Sequence, residues 1–180
     1  GSSLAILSAV IAARERAAAP WDRARCYVPE QTHHAVGKAL FAAGFRPENV
    51  VVTPSADLRA DVAALAARVS SDRAEGFVPV LVVATAGTTN AGRVDPLDAI
   101  ADVAARHGAW FHCDGAYGGF FRLLDDLPER PVLVGLARVQ VALRERPVGP
   151  VGTVHHRQPP RVVDDQAAGM GVDAAGIHAA

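Results

Sequence analysis

The run FVPVLVVATAG, residues 77–87, carries no charged side chain. A strand with one wet face alternates apolar and polar residues. This run does not alternate, so both of its faces must be covered by other elements. It is too short to cross a bilayer and fits a buried strand. The same style recurs in ARCYV (24–28), NVVVT (49–53) and AWFHCD (109–114). Between these runs lie helix-like stretches. Residues 3–18 carry a stripe of Leu4, Leu7 and Ile11, with Ser2 or Ser3 as the cap. Residues 32–44 end at Gly44, and residues 55–76 start at a Ser55 cap and stop at Gly76. Residues 95–108 read as a helix capped by Asp95, with Pro96 in its first position and Gly108 at its end. Buried strands alternating with helices of this length predict an α/β fold: a mostly parallel sheet with helices on both faces.

Composition narrows the function without choosing it. The chain has 180 residues, half of them hydrophobic, and a formal net charge of −1. No basic surplus points to nucleic acid, no apolar run points to a membrane, and no leader peptide is visible. Cys26 and Cys113 lie in apolar stretches and read as buried thiols of a reducing, cytoplasmic compartment. After about residue 137, Pro and Gly recur without a sustained period. The predicted organisation is therefore 1–137 as one partial domain and 138–180 as an atypical tail.

In an open parallel sheet, ligands bind beyond the carboxyl ends of the strands. Here those ends read YVPEQTHH, TAGTTNAG and HCDGAYGG. Asp114 ends its strand where a carboxylate needs donors or a cation. It could cap the following segment, bind a metal together with His112 on the same strand face, or keep a pyridine nitrogen protonated as part of an electron sink. His33 and His34 are either a surface pair or supply one imidazole to the mouth of the sheet. Gly1-Ser2-Ser3 is either an ordinary cap or an anion-receiving helix start. Thr88 and Thr89 offer hydroxyls beside glycines that permit close backbone approach.

Taken in order, GSSLAILSAVIAARE, QTHHAV and VVATAGTTNAGRVDPLDAIADVAARHGAWFHCDGAYGGF resemble the pyridoxal-phosphate-dependent amino-acid decarboxylases of the group that includes the aromatic-amino-acid and glutamate enzymes. The resemblance covers roughly residues 1–137 and is densest from Val80 to Phe120. It implies the large domain of the fold-type I pyridoxal-phosphate enzymes, in part. It also implies pyridoxal 5′-phosphate as cofactor and an amino-acid substrate, aromatic first, with glutamate, aspartate and diaminobutyrate behind it. Intact members are homodimers. Residue by residue, Asp114 corresponds to the partner of the pyridine nitrogen and Ala116 to the small residue under the ring. His33 corresponds to the histidine stacked on the other ring face, Ser2 and Ser3 to the phosphate-binding turn, and Thr89 to a threonine close to the cofactor. His33 and Asp114 are the expected catalytic residues. Ile6 stands where the family commonly has a polar residue, and Gly115 where it commonly has alanine.

One departure bears on activity. The family holds its cofactor aldehyde as a Schiff base on a lysine about thirty residues after the aspartate. Here that region reads LARVQVALRERPVGP, and the chain's one lysine is Lys38. Arginine is no substitute, because guanidinium stays protonated and is a poor nucleophile. The expectation is a chain that binds its cofactor without covalent attachment and is inactive as a decarboxylase. A shifted reading frame near residues 130–140, joined to a truncated start, would account for it. A non-catalytic cofactor-binding relative is the alternative, and a metal-dependent hydrolase using His33, His112 and Asp114 is a third reading.

Overall fold

The computed structural model describes residues 1–123. The stretch 138–180, read above as an atypical tail, lies outside the described residues. Four strands form one sheet: β1 (Ala24–Pro29), β2 (Val50–Thr53), β5 (Val78–Thr85) and β6 (Trp110–Asp114). Their order is β2-β1-β5-β6, and every neighbouring pair is parallel. The β5 run does what its composition requires and is buried from Pro79 to Thr85, whereas β2, at the edge of the sheet, leaves Val52 exposed.

Two helices cover each face. On one face lie α1 (Ser2–Ala17) and α2 (His34–Ala42). Ile6, Val10, Val36 and Leu40 pack there with Cys26, Val28, Leu81 and Val83 of the strands. On the other lie α3 (Val62–Ala74) and α4 (Leu97–Arg106). Leu65, Val69, Leu97, Ile100 and Val103 pack there with Tyr27, Val82, Ala84 and Phe111. Alternate residues of β5 serve opposite cores, as strand geometry demands. Each fully buried Leu or Ile in these layers contributes about 1.5–3 kcal/mol relative to exposure.

Three expectations about helix starts are corrected. Gly1, not Ser2 or Ser3, occupies the cap position of α1, and no side chain caps it. The predicted helix from Ser55 begins only at Val62, capped by Asp61, whose carboxylate accepts the Ala64 N–H at 3.0 Å. Residues 55–60 form instead a small antiparallel hairpin, β3 (Ser55–Ala56) with β4 (Arg59–Ala60). Asp57 and Leu58 turn it with positive φ of 50° and 60°. Two residues in that left-handed region cannot continue a helix. The third correction is Asp95. Pro96 holds the cap position of α4, and the buried Asp95 carboxylate accepts the N–H of Ala60 at 2.8 Å and of Thr85 at 2.7 Å. It ties the hairpin to the end of β5 instead of starting a helix.

Candidate functional site

The end of β5 and the end of β6 meet in register, Thr85 beside Asp114. Both chains then turn. After β5, the N–H groups of Gly87 and Thr88 donate to the Arg93 carbonyl at 3.2 and 2.8 Å. The Thr88 hydroxyl accepts the Arg93 N–H at 3.1 Å, which closes the turn. Thr88 is therefore spent on structure, and Thr89 is left at the mouth. After β6, the Gly118 N–H donates to the Ala86 carbonyl at 2.8 Å. A side chain on Gly118 would collide with that carbonyl, and one on Gly87 would meet the Tyr117 ring at 2.8 Å. These two glycines let the turns approach each other closely enough to form one wall.

Ser2, Ser3, His33, Thr89, Asp114 and Ala116 all line one cavity of about 250 Å³ on the α1/α2 face of this strand end. The sequence had placed them on separate elements. Asp114 is only 7% exposed, and its Oδ1 accepts the Ala116 N–H at 3.1 Å. That bond caps a turn locally and also fixes the carboxylate beside Ala116. His33 occupies the cap position of α2, and its Nδ1 accepts the Ala35 N–H at 3.3 Å. The rings of His33 and His34 lie 4.0 Å apart, and His33 is the one on the cavity wall. In α1 the Leu4 and Ala5 N–H groups donate to the Gly1 carbonyl. The Ser2 and Ser3 amides have no acceptor within the helix and stand at its positive end.

Sequence reasoning missed Ala35, Thr85, Gly87 and Tyr117 as wall residues. Thr85 and Gly87 were visible as part of a strand-to-turn signal, but nothing in that signal says which way a side chain points. Ile6, flagged as a departure, lines the cavity too, so this part of the wall is apolar. Lys38 lies outside it, on a neighbouring cavity that shares Ser3, His33 and Ala35.

The metal reading is corrected. His112 points to the same face as Asp114 but is not on the cavity wall. Burial pushes its imidazole below the usual histidine range, and the Asp114 charge only partly opposes this. Among the described residues no three His, Cys, Asp or Glu side chains stand close enough to share a metal. Both cysteines are free, and burial pushes each thiol up to about 12. Neither is a thiolate nucleophile near neutral pH. Among the described residues, no helix is long and apolar enough to cross a membrane.

Residues 1–140 match the pyridoxal-dependent decarboxylase conserved domain. The chain belongs to this family. It is 40% identical over 129 residues to tryptophan decarboxylase 1 of Oryza sativa subsp. japonica, a match that covers 66% of this chain and 25% of that protein. It is 46% identical over 88 residues to L-2,4-diaminobutyrate decarboxylase of Rhizobium meliloti, covering 48% of this chain and 18% of that one. The crystal structure of Oryza sativa tryptophan decarboxylase with pyridoxal phosphate and tryptamine superposes with a TM-score of 0.71 at 39% identity. That superposition covers 77% of this chain and 30% of the other. The decarboxylase-family chain thus spans about a quarter of the length of the relatives it matches. Residues 1–140, which match the family, contain the whole cavity, and the α/β architecture with its parallel sheet is the one these structures share.

Proposed function

We propose that this chain holds pyridoxal 5′-phosphate in the Asp114 cavity and is the cofactor-holding part of an amino-acid decarboxylase large domain. The observation that carries the reading is the convergence of six residues, spread from position 2 to position 116, on one cavity wall. Their chemistry fits the group. The buried Asp114 carboxylate suits a protonated ring nitrogen, because a buried anion without a counter-charge is costly. Ala116 is small enough to leave room for a flat ring, and the His33 imidazole offers a stacking face. The Ser2 and Ser3 amides and hydroxyls, at the start of a sixteen-residue helix, suit a phosphate. Thr89 adds a hydroxyl at the mouth. When bound, the cofactor supplies an electron sink for the pair left behind as a substrate carboxylate departs as carbon dioxide. Asp114 would hold the ring nitrogen's proton, and His33 would fix the ring plane and stand near the proton that returns.

The reading is binding without efficient turnover. The chain's one lysine, Lys38, sits on α2 outside the cavity, so no amine on the cavity wall is available for covalent attachment. The missing lysine lowers decarboxylation by orders of magnitude relative to family members that carry it. An aromatic amino acid is the first substrate class to try, with homodimerisation and a cytoplasmic location as the companion expectations. The two free cysteines agree with a reducing compartment.

The test is a spectroscopic titration of the 180-residue chain with pyridoxal 5′-phosphate, followed by borohydride treatment, mass analysis and assay of carbon dioxide release from L-tryptophan. Saturable binding at one site, no adduct within the Asp114 cavity and no measurable release are expected. Absence of saturable binding sinks the cofactor reading. Release at a rate typical of the family sinks the inactivity.

A further inference from the structure

Several buried polar side-chain atoms lack a hydrogen-bond partner among the described residues, and of these Thr85 Oγ1 alone belongs to the cavity wall. Thr85 is 4% exposed. Its backbone is held on both sides: the N–H donates to Asp95 Oδ2 at 2.7 Å, and the carbonyl accepts the Asp95 N–H at 3.0 Å. In the sheet it pairs in register with Asp114. A β-branched side chain on a strand so fixed has little rotameric freedom, so the hydroxyl cannot swing away to find water. A buried hydroxyl with no partner is unfavourable. A valine would fill the same space without that cost, and Val80, Val82 and Val83 show that β5 uses valine freely.

We propose that Thr85 is a ligand-contacting residue whose hydroxyl takes its missing hydrogen bond from the molecule held beside Asp114. The inference rests on the reading of this cavity as a cofactor site and adds a residue to it. It also explains why Asp95 is buried where it is. By gripping both backbone groups of Thr85, Asp95 sets the height of that hydroxyl in the cavity, which makes Asp95 a positioning residue.

The experiment compares Thr85→Val, Thr85→Ser and the unmodified 180-residue chain. Two probes are titrated: pyridoxal 5′-phosphate, and pyridoxine 5′-phosphate, which lacks the aldehyde. Thr85→Val is expected to bind both about five- to tenfold more weakly, the loss of one hydrogen bond. The melting midpoint of the ligand-free Thr85→Val chain is expected to stay level or rise, because the orphan hydroxyl is gone. Thr85→Ser is expected to bind within about twofold of the unmodified chain. This opposition of affinity and stability is what a merely structural role would not produce. Unchanged affinity in Thr85→Val, with binding by the unmodified chain intact, overturns the contact and leaves the cofactor reading standing. Binding of neither probe by the unmodified chain overturns the cofactor reading and the contact with it. Should Thr85→Val fail to fold, Thr85→Ser against Thr85→Ala carries the same comparison, since they differ only by the hydroxyl. Equal affinity in that pair likewise overturns the contact.

Discussion

The buried network around Asp72 and the cavity beside Asp114, on opposite faces of the sheet, treat polar groups in opposite ways. On the α3/α4 face the Tyr27 hydroxyl donates to Asp72 Oδ2 at 3.0 Å, and Arg68 Nε donates to Asp72 Oδ1 at 2.9 Å. Asp72 is 2% exposed and both of its oxygens are engaged. Burial, with Asp72 adding to it, pushes the Tyr27 hydroxyl well above the usual tyrosine range, so it stays a donor. On the α1/α2 face Thr85 Oγ1 and His112 Nε2 are buried without partners, and Asp114 faces a cavity. A satisfied network stabilises the fold and binds nothing. An unsatisfied one costs stability and leaves donors and acceptors free for a ligand. Asp95 links the two regimes. Its carboxylate is fully paired, yet one of its donors is the backbone of a cavity residue.

Substitutions should separate the two faces. The largest effect is expected from Asp114→Ala, which removes the proposed counter-charge for the ring nitrogen. Cofactor affinity should drop about hundredfold or more, while urea unfolding of the empty chain shifts by about 1 kcal/mol or less. A large stability loss with unchanged affinity would put Asp114 among the structural carboxylates. Next is Asp95→Ala, which strands the Ala60 and Thr85 amides. It should cost about 2–4 kcal/mol in urea unfolding and should also weaken cofactor binding, because the end of β5 is no longer held. Asp72→Ala should cost about 2–3 kcal/mol; the part due to Arg68, whose side chain is 51% exposed, is discounted for solvent screening. Among chains that remain folded, Asp72→Ala should leave cofactor affinity unchanged. If it does not, the two faces are coupled and the contrast fails.

The smallest effect is a pH dependence. Burial lowers the His112 pKa from its ordinary 6.5, so the unfolded chain binds more protons than the folded one between the two values. Stability must then fall as pH drops below about 6.5. His112→Gln should flatten that part of the profile of the empty chain, measured by denaturation at stepped pH. An unchanged slope would assign it to other groups.

Much of the fold was legible because its signals are local. The long apolar run of β5 does not alternate and is a doubly covered strand, and the predicted stops at Gly44, Gly76 and Gly108 fall just beyond the last residues of α2, α3 and α4. What failed was the start of three helices, α1 among them, where Gly1 and not Ser2 or Ser3 holds the cap position. Ser55 looks like a cap, but the left-handed Asp57 and Leu58 make a hairpin first. Asp95 before a proline looks like a cap, but its carboxylate is taken by amides ten and thirty-five residues away. Such long-range partners leave no mark on the local pattern. The candidate site divides the same way. Asp114, His33, Ser2, Ser3, Thr89 and Ala116 were named through the family resemblance, and all six line the cavity, whereas Thr85 was not, since a threonine ending an apolar strand reads as filler.

The sequence by itself determined the class of fold and the family, because hydrophobic period, turn residues and motif order are properties of neighbours along the chain. It also determined that the chain has one lysine, Lys38. The tertiary structure decided the rest. It joined six distant residues on one wall, used Thr88 to close a turn while leaving Thr89 at the mouth, and put Asp95 under Thr85. It also left one hydroxyl unpaired beside Asp114. Pairing of buried polar groups depends on which strands lie side by side, and only the folded sheet fixes that.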